Sequence, residues 1–287
     1  MLAIVISHVL YNNKHMGMAP FDWHVPGFLV ITGFFGTSFK WKKVLNLLVV
    51  CYACYWLTIP IHGLRSIGDL FLPHGGWFVP FYVCLLMISP ILNAALKDRT
   101  VHRQIFFATV AILAFVWIPV FVSRLAMMKV VQDDRGLLLM IAPYLLGRLC
   151  AEYRWQEKLN VWVLVLVACA LEIGSIFLAV SFAGSISYVS PITLALAFVG
   201  FALFYQLNLP RWFASLTCFV APSMFGVYII HECCIKSWQC SDFAAQSCGN
   251  SVIWAIGLFV VCVLIDLIRR FVFRCVKLIC GNVLRCG

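Results

Sequence analysis

The stretch SMFGVYIIHECC at 223–234 ends an apolar run on His231 and Glu232. A second histidine, His8, lies inside MLAIVISHVLYNN with apolar neighbours on both sides. Imidazole exchanges protons near neutral pH, so such residues could serve as general bases or acids. A histidine within an apolar span is costly unless it faces a cavity or a partner, which favours a functional role for His8. Histidines at helix ends are common interfacial residues, so His24, His62 and His231 taken singly read first as structural. Trp23, Trp77 and Trp238 read in the same way as interfacial belt aromatics. Another basic feature is Phe39-Lys40-Trp41-Lys42-Lys43. Its lysines either anchor a helix at the membrane surface or neutralise phosphates as point charges. Glu172 places an acid inside an apolar run, where it needs a cavity or a hydrogen-bonded core role. Asp133, Asp134 and Arg135 make a polar loop that composition leaves uninterpreted.

The elements that hold these residues follow from composition. Of 287 residues, 63% are hydrophobic and 11% charged, and the mean hydropathy is +0.99. That much apolar surface requires lipid as solvent, which makes the chain an integral membrane protein. The apolar runs are continuous rather than alternating, so the expected fold is all-α and polytopic, not a barrel. Spans are expected near 1–13, 25–39, 44–62, 77–96, 104–123, 137–151, 159–180, 189–206, 213–231 and 252–268, about ten helices in one domain over 1–287. Prolines at 26, 60, 80, 90, 119 and 143 lie in or beside these spans and free backbone groups that need partners. Most of the 21 lysines and arginines fall in one set of alternate loops, which should face the cytoplasm together with both termini. The net charge of +10 is thereby explained by topology, and no nucleic-acid partner is expected.

Most of the 14 cysteines sit in apolar runs as small hydrophobes, and no metal-ligand spacing of cysteines and histidines occurs, so no metal is expected. Cys233, Cys234, Cys240 and Cys248 fall near one outer loop, where a disulfide could form. The first span starts within hydrophobic sequence, with no basic flank and no cleavage signal, so the first helix is expected to be truncated at its start. On this topology His8, His24, His62, His74 and His231 gather towards one membrane face, with Glu232 beside the last. Such a group fits an enzyme, a transporter or flippase of lipid-linked sugars, or an inactive truncated homologue. The absence of a detectable internal repeat leans against transport.

Four segments resemble the membrane-bound acyltransferase-3 family, the bacterial O-acyltransferases of surface polysaccharides. They are IVISHVL at 4–10, VPGFLVITGFF at 25–35, HGGWFVPFYVCLLMISPILN at 74–93 and SMFGVYIIHE at 223–232, in the family's order. The resemblance implies transfer of an acyl group, most often acetyl, from acyl-coenzyme A to a sugar hydroxyl of a surface or lipid-linked glycan. It also implies a bacterial inner membrane. Carried over by position, His8 matches the histidine proposed to act in acyl transfer. Lys40 to Lys43 stand where the family has a basic motif that would meet the donor, with lysine replacing arginine at Lys40 and Lys43. Trp77, Tyr82 and His231 match further motif positions. His24, His74 and Glu232 join them as candidates on the acceptor side. The family's arginine ahead of the first-helix histidine has no counterpart here.

Overall fold

The computed structural model describes residues 1–13, 23–63, 78–111, 137–181, 190–234 and 236–283. Among them every regular element is helical. In chain order these are α1 (Leu2–Asn12), α2 (His24–Phe35), α3 (Trp41–His62), α4 (Phe78–Ala95), α5 (102–111), α6 (Leu137–Tyr153) and the short α7 (Trp155–Lys158). Then come α8 (Val161–Ser181), α9 (Pro191–Gln206), α10 (Arg211–Val220), α11 (Met224–Ile229), the short α12 (Asp242–Ala245) and the long α13 (Cys248–Val283).

Four described stretches are long and apolar enough to cross a membrane: Trp41–Pro60, Phe78–Ala95, Arg211–Glu232 and Cys248–Val276. Among the described residues the expected count of about ten crossings is therefore not confirmed. The apolar helices Leu2–Asn12, His24–Phe35, Val161–Phe177 and Pro191–Gln206 are short against the roughly 20 residues that span a hydrocarbon core. Only 28–33% of each long crossing is buried within the protein. Large side chains such as Phe35, Ile91, Trp162, Leu166 and Phe177 are exposed, which only lipid makes tolerable.

The residues fall into two compact units, each assembled from separate stretches of chain. One holds Met1–His15, Leu45–Gly76 and Leu209–Gly287; the other holds Met16–Val44 and Trp77–Asn208.

In the second unit α2 and α6 cross at backbone contact. A Cβ on Gly33 would stand 2.0 Å from the Tyr144 carbonyl oxygen, and one on Gly147 would stand 2.0 Å from that of Val30. Small residues permit this approach in membranes, where packing rather than water exclusion joins helices. Gly33, within the stretch VPGFLVITGFF, therefore has a packing reason. Helix α2 stops at Gly36, whose φ of +71° suits glycine alone among the residues nearby. Tyr144 Oη donates to Asn93 Oδ1 at 2.8 Å, and Asn93 Nδ2 donates to the Thr37 carbonyl at 2.7 Å.

This unit also accounts for Glu172. The Trp23 indole N–H donates to Glu172 Oε1 at 2.9 Å, and Ser175 Oγ lies 3.3 Å from Oε2. A Cβ on Gly200 would come within 2.9 Å of the Trp23 ring, so the missing side chain makes room for the indole. Trp23 is thus a hydrogen-bonded core residue rather than a simple belt aromatic, and Glu172 has the core role.

Candidate functional site

The first unit brings together three of the residues singled out in the sequence. His8 stands on α1, and His231 and Glu232 stand on the π-helical segment Ile230–Cys234 that continues α11. One extra residue per turn shifts side chains relative to an α-helix, and such π segments recur at functional sites. His8 Nδ1 lies 3.1 Å from Glu232 Oε2, an ion-pair contact rather than a well-aligned hydrogen bond. Both side chains are mostly buried, at 16% and 12% exposure. The imidazoles of His8 and His231 face each other with ring centroids 5.3 Å apart.

The proton positions follow from what each neighbour can accept. A carbonyl oxygen only accepts, so the 2.9 Å contact between His231 Nδ1 and the Val227 carbonyl places a proton on Nδ1. His231 Nε2 is then a lone-pair acceptor, fully buried and without a hydrogen-bond partner among the described residues. An ionised carboxylate also only accepts. Glu232 therefore favours a proton on His8 Nδ1 and leaves His8 Nε2 basic. One ring nitrogen of His8, one of His231 and one Glu232 oxygen lie within 4.8 Å of one another, so the carboxylate can steady charge that develops on the imidazoles.

A residue absent from the sequence reading holds this arrangement. Gln239, fully buried in the short helix Lys236–Gln239, donates from Nε2 to the His231 carbonyl at 3.1 Å. Its own carbonyl accepts from Asn13 Nδ2 at 2.7 Å, and its Oε1 accepts from Asn12 Nδ2. Gln239 thus ties the end of α1, which carries His8, to the segment that carries His231 and Glu232. Sequence offered only a glutamine in a polar loop as its signal. The nearby Cys240 and Cys248 are not in a disulfide.

A second buried polar group lies along α13. Asp266 is fully buried and accepts from Arg269 Nε at 2.7 Å; Cys54 Sγ is 3.9 Å away. A Cβ on Gly226 would stand 1.9 Å from Asp266 Oδ1, so glycine is what lets α11 approach this carboxylate. In VLIDLIRR the aspartate reads as part of a helix end, which hides its burial. Removing one partner leaves the other charge buried and uncompensated. Asp266→Ala is therefore expected to cost about 3–5 kcal/mol, while replacing both Asp266 and Arg269 by leucine costs much less. Thermal unfolding in detergent with both variants checks this.

The remaining sequence candidates are placed as follows. His24 is buried at the start of α2, in the second unit. Tyr82 lies on α4 in that unit, stacked on Phe78 at 5.4 Å and close to Phe28 at 5.8 Å. Lys40, Lys42 and Lys43 are all exposed in the segment that enters α3. His74, Trp77 and the acidic loop 133–134 lie outside the described residues, as does the His62 side chain. Of the histidines expected at one face, His8 and His231 are therefore the pair seen in contact.

A family model described as an acyltransferase domain matches residues 1–270 of the 287. No curated protein and no solved structure matches the chain.

Proposed function

The chain belongs to the acyltransferase-3 family, and on that premise we propose that it moves an acyl group, most often acetyl, from acyl-coenzyme A to a sugar hydroxyl of a surface or lipid-linked glycan. The proposed setting is a bacterial inner membrane with both termini cytoplasmic. The observation that carries the reading is the contact of His8 with Glu232 beside a second imidazole, within a unit built from apolar helices.

The chemistry needs a base and a path for the proton. A sugar hydroxyl is a weak nucleophile at neutral pH. His8 Nε2 takes the hydroxyl proton as the oxygen attacks the thioester carbonyl carbon. The imidazolium so formed is stabilised by Glu232 against Nδ1–H, in the manner of any base held by a carboxylate. The C–S bond then breaks, and the proton passes from His8 to the departing thiolate. His231 Nε2, which has no hydrogen-bond partner among the described residues, would accept from a second hydroxyl of the same sugar. Burial excludes water, which would otherwise compete for the acyl group. His24, Tyr82, His74 and Trp77 are retained as acceptor-side proposals, and Lys40, Lys42 and Lys43 as donor-side ones.

Glu232→Gln keeps the size of the side chain and removes its charge. Acyl transfer is expected to fall between about 10²- and 10⁴-fold, with the loss in kcat rather than in KM. Steady-state kinetics on the purified protein check it. A loss confined to KM would show that Glu232 binds substrate without supporting the base.

A further inference from the structure

The first unit contains a cleft of about 400 Å³ at the far part of α13, lined by Asn46, Val49, Phe219, Arg269, Arg270 and Arg274 among others. Arg269 is spent on Asp266. Arg270 Nη1 bonds the neutral Ser223 hydroxyl at 3.2 Å. Among the described residues no carboxylate pairs with Arg270 or Arg274. These two arginines are four residues apart, so they share one face of α13. The cleft therefore joins two uncompensated guanidinium groups to an apolar wall.

We propose that this cleft is a phosphate-binding subsite that holds the nucleotide end of the acyl-thioester donor, through Arg270 and Arg274. This rests on the acyl-transfer reading above and names residues beyond those of the sequence analysis. Arginine presents a rigid fork that binds phosphate through two parallel N–H bonds, whereas lysine offers a point charge. Lys40, Lys42 and Lys43 are exposed, whereas the half-buried Arg270 and the more exposed Arg274 line one concavity that can hold a phosphate from two sides. The wall of Val49 and Phe219 suits the apolar faces of a purine or of the thioester arm.

Position favours the donor over a lipid headgroup, which offers the same phosphate chemistry. Ser223, the partner of Arg270, begins the stretch that leads through α11 to His231. The eight intervening steps correspond to about 12 Å of helical rise. A donor anchored at Arg270 and Arg274 thus has its phosphates within about one membrane leaflet's depth of His231, which faces the proposed base His8. The apolar stretch Arg211–Glu232, which gives Phe219 to the cleft wall, also carries His231.

The test uses the full chain in nanodiscs of neutral phosphatidylcholine, titrated with coenzyme A, 3′-dephospho-coenzyme A and pantetheine. The double variant Arg270→Ala/Arg274→Ala is expected to bind coenzyme A about 10- to 100-fold more weakly, with pantetheine affinity unchanged. Arg270→Lys/Arg274→Lys keeps the charge and is expected to fall between the two, which guards against a folding defect in the alanine variant. In turnover the donor KM rises and kcat is nearly unchanged. Coenzyme A affinity equal to that of the unsubstituted chain in both variants overturns the proposal. Loss of co-purifying anionic phospholipid without loss of coenzyme A affinity assigns the cleft to lipid and also overturns it. Failure of the unsubstituted chain to bind coenzyme A or consume a thioester overturns the acyl-transfer reading itself, and this subsite with it.

Discussion

His8→Ala is expected to lower acyl transfer by about 10²- to 10⁴-fold while the protein stays folded. The prediction follows from position. His8 is mostly buried, lies 3.1 Å from Glu232, and faces His231 across 5.3 Å between ring centroids. Its removal takes away the base and leaves the carboxylate without the imidazolium it would stabilise. The effect should fall on kcat, because the base acts in the transition state rather than in binding. Exogenous imidazole offers a sharper check. If the loss is chemical, a small base diffusing into the vacated volume restores part of the rate. If the loss is structural, it does not. Unchanged kcat in His8→Ala would remove the central residue from the mechanism.

The largest expected effect on stability comes from the α2–α6 crossing. Gly33→Ala places a methyl 2.0 Å from the Tyr144 carbonyl oxygen, and Gly147→Ala places one equally close to that of Val30. These neighbours are backbone atoms and cannot rotate aside as a side chain would. The helices must separate, and the cost of each substitution should exceed the roughly 1–3 kcal/mol typical of overpacking a core. Gly174→Ala and Gly257→Ala are the controls, since nothing lies within 4 Å of the added Cβ at either position. Those two should be neutral or stabilising, because alanine is favoured over glycine in helices by up to about 1 kcal/mol. Thermal unfolding of the four variants in detergent separates a packing requirement from a general sensitivity to substitution.

What could be read in the sequence divides along physical lines. An apolar background makes any polar residue conspicuous, so His8, His231, Glu232 and Glu172 could all be noticed from the chain alone. Their partners were harder to see. The meeting of His8 with Glu232 joins residues far apart in the chain, and residue order gives no distance for it. Gln239 looked like an ordinary loop residue, because only the fold buries it between Asn12, Asn13 and His231. Asp266 was hidden by the arginines after it, which read as the flank of a helix rather than as one partner of a buried ion pair. Trp23 looked interfacial until its indole was found on Glu172. The count of about ten crossings is not confirmed, for a different reason. Apolar runs mark helices well, but α1, α2 and α9 are too short to satisfy the length rule by themselves. Glycine at 33 stood out as part of a motif, yet its cause is a helix contact that composition does not encode.

The most direct test of the account is the fate of the acyl group. Membranes bearing the full chain, with a confirmed glycan acceptor, are supplied with isotopically labelled acetyl-coenzyme A, and the glycan mass is read with and without His8→Ala. Labelled acetyl mass is expected on the glycan with the unsubstituted chain and is expected to disappear with the variant. If the chain is stably inserted and the acceptor gains no labelled mass, the acyl-transfer account is contradicted; movement of the glycan across the membrane under the same conditions would then favour transport.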